Sequence, residues 1–174
     1  PETGATFAEN AAAKAREVVR RTKLPALADD SGLEVSALAG RPGVFSARYA
    51  QDRTAPVAPT DADNWGKLLE EMRDLPWEER AARFVCAIAL ALPDGRLFEA
   101  RGECAGRIAT SPQGTQGFGY DPVFWVAEYG ATMAQLGPEV KNRISHRARA
   151  LTALREILVS LKEDLARLGK DVGA

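Results

Sequence analysis

The sequence predicts a single α/β domain with some α+β character, in which helices flank a central mixed sheet. The strongest indication is the run of residues 83–92, which is apolar on both faces as a central strand should be. Alanine-rich and amphipathic segments near the two ends of the chain supply flanking helices. With 174 residues and 45% hydrophobic content, the chain is long enough to bury one core, and we assign residues 1–174 to one domain.

The first elements are a helix and a short strand. Thr6 and Glu9 have the spacing of a capping box, and the alanine-rich segment over residues 10–22 carries its basic residues late, as the helix dipole favours. The apolar residues 24–28 then predict a short buried strand. The sequence Asp-Asp-Ser-Gly over residues 29–32 predicts a turn at its end, because all four residue types favour turns.

Further elements follow in the middle of the chain. Asp63 is placed to cap a helix over residues 64–75. A Pro-Asp-Gly turn at residues 93–95 predicts a hairpin from the central strand into a strand over residues 97–101, and residues 102–108 are typical of another strand. Glycine, proline and small polar residues predict connections over residues 35–43, 54–63 and 111–119.

The last element is a long amphipathic helix, which we expect to begin at Ser145 as its N-cap. His146 and Arg147 then fall in its first turn, with Lys141 just before it. Cations at a helix N-terminus cost stability, because the helix dipole already places partial positive charge there. A bound anion, naturally a phosphate, would reverse the sign, whereas a solvated basic face or partners elsewhere in the fold would explain the residues without a ligand.

Composition argues against several functions. The net charge of −1 creates no global field for nucleic acid or an anionic membrane, and no apolar segment reaches the roughly 18 residues of a membrane span. Cys86 and Cys104 lie in or beside strand-like runs, without a CxxC pair and with a single histidine in the chain. We therefore expect buried thiols, a reducing cytoplasmic location and no zinc site.

Two segments carry candidate chemistry besides the basic one. Side chains alternate along a strand, so Asp29 and Asp30 should point to opposite faces, one free for a site and the other paired. Open α/β sheets place ligand chemistry at the ends of strands, although these residues could also form only a turn. In the loop Gly-Phe-Gly-Tyr-Asp-Pro over residues 117–122, the glycines allow close approach. Phe118 could then stack on a flat ligand, or it could simply pack with Tyr120 in a turn.

Five motifs follow one another along the chain: ETG and TFAENA within residues 2–11, LADDSGL at 27–33, PGVFSARY at 42–49, GFGYDP at 117–122, and KN with ISHRA within 141–148. In this order they resemble the inosine/xanthosine triphosphate pyrophosphatases. The resemblance implies a two-lobed α/β homodimer with a cleft between the lobes. It also implies Mg²⁺-dependent hydrolysis of non-canonical purine nucleoside triphosphates (ITP, dITP and XTP) to the monophosphate and pyrophosphate, which cleanses the nucleotide pool.

The resemblance also implies roles for individual residues. Asp30 would be the general base or the metal-organising carboxylate, and Glu2 a second metal ligand for which Glu9 could substitute. Residues that would hold the sugar and phosphates are Lys14, Ser31, Lys141, His146 and Arg147. Residues that would form the base pocket are Phe118, Gly119, Tyr120 and Asp121. Selectivity for a 6-oxo purine needs a donor facing that oxygen, either a main-chain N–H of the base pocket or the His146-Arg147 pair.

The chain departs from the family pattern at its start. The family begins with a strand and a Thr/Ser-x-x-Asn-x-x-Lys loop that grips the triphosphate, and nothing in the sequence matches them. We therefore expect an N-terminally truncated domain with an unpaired sheet edge, which turns over nucleotides weakly or not at all. Two alternatives are a related phosphatase for modified pyrimidine triphosphates and a nucleotide-binding remnant without catalysis.

Overall fold

A computed structural model describes the backbone of residues 3–171 and the side chains of residues 3–162. No helix within these residues is long and apolar enough to cross a membrane. The elements are α1 (Phe7–Thr22), β1 (Ala26–Val35), α2 (Gln51–Thr54), α3 (Asp61–Glu71), β2 (Ala81–Ala91), β3 (Leu97–Ile108), β4 (Phe124–Val126), β5 (Ala131–Thr132), α4 (Pro138–Ile144) and α5 (His146–Asp171).

The five strands form one sheet in the order β1-β2-β3-β4-β5, and each neighbouring pair is antiparallel. The α/β class with α+β character is confirmed, whereas the described strands do not include the parallel pair of a mixed sheet. The reason lies in the connections. The predicted turn at residues 93–95 joins β2 to β3 as a hairpin, and β2 begins at the end of the sheet where β1 finishes. Both geometries require antiparallel pairing.

The prediction of a turn at residues 29–32 is wrong. These residues lie inside the ten-residue strand β1, with Asp29 opposite Ile88 and Asp30 opposite Ala87 on β2. Turn-forming residue types are tolerated here because pairing with β2 supplies the backbone hydrogen bonds and partners elsewhere in the fold neutralise the carboxylates. Residues 97–108 also form one strand, β3, where two were predicted.

The helix ends follow local capping chemistry. The capping box of Thr6 and Glu9 at α1 is confirmed. Helix α3 begins earlier than predicted, because Thr60 is its N-cap and Asp63 is the third helical residue of the same kind of box. Ser145 accepts a hydrogen bond from the N–H of Ala148 at 3.2 Å, as expected of the N-cap of α5.

Strand β2 is apolar on both faces because a helix covers each face. Alternate residues from Val85 to Ala91 pack against α1, and the intervening Cys86 and Ile88 pack against α5. A third cluster beside these layers joins α3, β4 and the adjoining loops to the ends of β1 and β2. Cys86 and Cys104 are buried free thiols, as predicted, and burial raises the pKa of both.

Gly102 sets how closely α5 approaches the sheet. A Cβ atom added to this residue of β3 would lie 2.2 Å from the carbonyl oxygen of His146 and 2.2 Å from the backbone nitrogen of Ala150. No side chain fits there without moving the helix. The position of the first turn of α5 therefore depends on a glycine in the neighbouring strand.

Gly102→Ala should lower the free energy of unfolding by about 2 kcal/mol or more, because it forces α5 away from β3. Gly66→Ala is the matched control. Gly66 lies in the middle of α3, where an added Cβ meets nothing within 4 Å. That change should raise stability by about 0.5–1 kcal/mol through helix propensity. Urea unfolding of both variants measures the difference, and equal stabilities would contradict this account of Gly102.

Candidate active site

A single open cavity of about 970 Å³ collects most of the predicted site residues. It is bounded by β1, the loop before β4 and the first turns of α5, and its volume lies near the upper end of the range for ligand pockets. The predicted residues that line it are Asp30, Ser31, Phe118, Gly119, Tyr120, Asp121, Lys141, His146 and Arg147.

Of the other three predicted residues, Lys14 and Glu9 do not line the cavity. Lys14 reaches it indirectly, because its Nζ lies 2.9 Å from Oδ1 of Asp30. Glu9 serves the cap of α1 with one carboxylate oxygen, Oε2, which accepts from the N–H groups of Ala5 and Thr6. Glu2, the expected second metal ligand, falls outside the described residues.

The two aspartates of β1 point to opposite faces, as predicted from strand alternation, but both are paired where one was expected to be free. Asp30 turns towards α1, where Lys14 and the side-chain amide of Asn10 hold one carboxylate oxygen each, at 2.9 and 3.0 Å. Asp29 turns towards α5 and accepts from Nη2 of Arg147 at 2.9 Å. Burial raises the pKa of Asp29, but the hydrogen bond and charge of Arg147 outweigh it, so that pKa lies below its usual range.

The loop that carries Phe118 is held in place by the buried carboxylate of Asp121. Asp121 is 4% exposed and accepts from the N–H of Phe118 at 3.0 Å and from the ammonium of Lys141. Only glycine fits at position 117, because its φ is +85° and an added Cβ would lie 2.0 Å from that carboxylate. The ring of Phe118 is left 62% exposed, with Nζ of Lys141 4.7 Å from its centroid.

Two further contacts complete this loop. The N–H of Gly119 donates to Oδ2 of Asp61 at 2.6 Å, which brings the first turn of α3 into the cavity wall. Sequence reasoning missed Asp61, because an acidic residue in the first turn of a helix is ordinary. Tyr120 is 5% exposed and donates its hydroxyl to the carbonyl of Ser46 at 2.8 Å. Its phenol therefore braces the loop instead of presenting a free hydroxyl.

The start of α5 does not carry three free positive charges. Lys141 and Arg147 pair with Asp121 and Asp29, so the alternative that they have partners elsewhere in the fold holds for these two. His146 stacks on Phe84 with ring centroids 4.9 Å apart. Burial, together with the charges of Arg147 and Lys141, lowers the pKa of His146 to about 4, which leaves a neutral imidazole at pH 7.

The imidazole of His146 also has an unused hydrogen-bonding atom. Its Nδ1 is buried and has no hydrogen-bond partner among the described residues. Buried polar atoms are almost always paired, since an unpaired one costs roughly 1–3 kcal/mol. In a neutral imidazole each ring nitrogen either donates or accepts a hydrogen bond, so the unpaired Nδ1 can form one directional hydrogen bond with a ligand in the cavity.

Comparison with known proteins identifies the family of the chain. The model of the Ham1 family matches residues 1–157. The chain belongs to the Ham1 family. The dITP/XTP pyrophosphatase of Geobacillus kaustophilus is 56% identical over 156 residues, which cover 89% of this chain and 74% of the relative. The dITP/XTP pyrophosphatase of Geobacter sulfurreducens is 53% identical over 157 residues, covering 90% and 76%.

Solved structures of Ham1 proteins have the same fold. The protein from Coxiella burnetii matches with a TM-score of 0.84 and 45% identity, and that from Staphylococcus aureus with 0.83 and 42%. Each match covers 92% of this chain and 80% of the other. The resemblance drawn from the five sequence motifs is therefore confirmed.

The described carboxylates of this Ham1 protein do not form a metal-binding cluster on their own. Among the described residues, no three histidine, cysteine or acidic side chains come together. Mg²⁺ is usually held by one or two carboxylates together with substrate phosphates and water, and does not require such a cluster. The resemblance drawn from the motifs assigns this role to Asp30, one of the carboxylates in the cavity wall.

The lowered pKa of His146 makes the stability of this Ham1 protein depend on pH. Its folded-state pKa of about 4 lies below the ordinary value of 6.5, so only the unfolded chain takes up this proton between those two pH values. Stability must therefore fall as the pH is lowered through that window.

Urea unfolding from pH 7 to about pH 4.5 tests this prediction. The wild type should lose about 2 kcal/mol more than His146→Gln, which cannot take up the proton. Parallel pH dependences of the two proteins would show that His146 is not held neutral by the fold.

Proposed function

We propose that the chain is a Mg²⁺-dependent pyrophosphatase that hydrolyses ITP, dITP and XTP to the nucleoside monophosphate and pyrophosphate. The observation that carries the proposal is one cavity whose wall includes an exposed aromatic ring, Phe118, a neutral imidazole, His146, and a precisely held carboxylate, Asp30. The ring of Phe118 and the imidazole of His146 suit a nucleotide base, and the carboxylate of Asp30 suits the reacting phosphate. The relatives from Geobacillus kaustophilus and Geobacter sulfurreducens are dITP/XTP pyrophosphatases. A homodimer and a cytoplasmic location belong to the same proposal.

Recognition of the base would use stacking and one donor. The exposed ring of Phe118 offers a face on which a purine can stack. The N–H groups of Phe118 and Gly119 already donate to Asp121 and Asp61, so neither is an open donor for the base. Among the remaining donors we assign His146 to the 6-oxo group, because its buried Nδ1 has no partner among the described residues. The 6-amino group of adenine would bring two donors together and lose this bond.

Hydrolysis would use Asp30 and the two side chains that hold its carboxylate, Lys14 and Asn10. An Oδ atom of Asp30 takes the proton of a water molecule as that water attacks the α-phosphorus, and the bond to the bridging oxygen of pyrophosphate breaks. Asp30 would hold Mg²⁺, which would supply neutralisation of phosphate charge and a lower pKa for the attacking water. Lys14 and Asn10 fix the direction of the carboxylate, and Lys14 adds positive charge near the reacting phosphate.

A panel of nucleotides tests the proposed function by release of pyrophosphate in the presence of Mg²⁺. Turnover of dITP, ITP and XTP should exceed that of dATP by about a hundredfold or more, and Asp30→Asn should abolish it without unfolding the protein. Asp94→Asn, on the exposed hairpin, is the control. The same assay measures whether the 174-residue chain turns over nucleotides weakly or not at all, which stays a prediction.

Two results of this panel would contradict the proposal. Preference for modified pyrimidine triphosphates would favour the related phosphatase. Nucleotide binding without pyrophosphate release, unchanged by Asp30→Asn, would favour a binding protein without catalysis.

Phe118 offers a test of base stacking with matched variants at one position. Phe118→Leu should raise the KM for dITP by about tenfold or more, because it removes a stacking face worth roughly 1–3 kcal/mol. Phe118→Trp retains an aromatic face and should stay within about threefold of the wild type. Steady-state kinetics decide the matter, and equal KM values for the two variants would exclude stacking at this ring.

A further inference from the structure

We infer that Asn10 is a positioning residue, which holds Asp30 in its reactive orientation and ties the turn before α1 to that carboxylate. The inference rests on the proposed function only for its kinetic consequence. The structural statement, that Asn10 determines where Asp30 points, can be tested without any turnover.

The contacts of Asn10 engage both ends of its amide. The residue is 2% exposed, its Nδ2 donates to Oδ2 of Asp30 at 3.0 Å, and its Oδ1 accepts from the N–H of Gly4 at 2.8 Å. A backbone N–H can only donate, so its bond determines which end of the amide is oxygen. The NH₂ group must then face Asp30, and the amide cannot flip without losing both bonds.

Helix α1 grips Asp30 at two points. Asn10 and Lys14 are four residues apart, so they lie on one face of the helix one turn from each other. Each holds a different oxygen of the same carboxylate, at 3.0 and 2.9 Å, and the side chain of Asp30 is only 11% exposed. The carboxylate cannot rotate about its Cβ–Cγ bond without breaking one of these interactions.

Packing alone does not account for an asparagine at this position. The other buried residues of α1 are all apolar, namely Phe7 and the alanines at positions 11, 12 and 15, and another apolar residue would avoid the cost of burying an amide. Capping does not require it either, because Glu9 serves the N–H groups of Ala5 and Thr6. What Asn10 adds is the connection between the N–H of Gly4 and the carboxylate of Asp30.

The approach of Gly4 to Asn10 leaves no room for a side chain. A Cβ atom on Gly4 would lie 2.7 Å from Oδ1 of Asn10 and 2.8 Å from the Cβ of Glu9. The turn before α1 is thus pressed against the amide that orients Asp30. A displacement of this turn would be transmitted to the carboxylate through one side chain.

The chain contains a matched control, because Asn64 is a buried asparagine with backbone partners alone. It is 3% exposed, accepts from the N–H of Ala50 at 2.8 Å and donates to the carbonyl of Ala47 at 3.2 Å. Asn10→Ala and Asn64→Ala should therefore both lower stability in urea. A purely structural role for Asn10 predicts that the two variants also behave alike in catalysis.

The kinetic test compares these variants on dITP. Asn10→Ala should lower kcat by about 10- to 100-fold with KM within about threefold of the wild type, because a carboxylate displaced by an ångström or less loses its alignment. Asn64→Ala should keep kcat within about threefold. Asn10→Asp retains the acceptor for Gly4 but places an oxygen against Asp30, so it should not rescue kcat. Rescue by Asn10→Asp, or a wild-type kcat in folded Asn10→Ala, would overturn the inference.

A crystal structure of Asn10→Ala supplies the test that does not depend on turnover. We expect the carboxylate of Asp30 to rotate out of its wild-type position, whereas it should stay in place in Asn64→Ala. An unmoved Asp30 in Asn10→Ala would overturn the inference at once. Failure of the wild type to release pyrophosphate from any non-canonical purine nucleotide would instead count against the proposed function, and the crystal structures would then decide the role of Asn10 by themselves.

Discussion

The site depends on the antiparallel pairing of β1 with β2. This pairing keeps β1 extended through Asp29 and Asp30, so that successive side chains leave on opposite faces. Helices α1 and α5 cover those two faces, and each helix therefore receives one carboxylate. A turn at these positions would have sent both acids to the surface. The strand thus couples the two helices to a single cavity.

Charge compensation follows from that arrangement. The basic residues around the start of α5 would oppose the helix dipole if they stood alone. Arg147 is balanced by Asp29 from β1, Lys141 is balanced by Asp121 from the loop, and burial keeps His146 neutral. The cavity therefore presents oriented, paired groups, and a nucleotide entering it would have to reorganise existing ion pairs. Gly102 permits this by letting α5 lie against β3.

Much of the fold could be predicted because its signals are local. The capping box of Thr6 and Glu9, the Pro-Asp-Gly hairpin and the cap at Ser145 each depend on residues within a few positions of one another, and all are found in the structure. The turn at residues 29–32 was wrong because its residue types have turn propensity only until a neighbouring strand satisfies their backbone. Pairing with β2 comes from more than 50 residues along the chain, beyond the reach of any local pattern.

The sequence by itself determined the family and which residues meet, because five ordered motifs carry that information and nine of the predicted residues line one cavity. Only the tertiary structure decided the partners, the orientation and the protonation state of those residues. It pairs Asp29 with Arg147 and holds Asp30 between Asn10 and Lys14. It also keeps His146 neutral through burial. Protonation and orientation depend on burial and on partners distant in the chain. A sequence motif specifies the side chain, but the surrounding fold determines its charge and direction.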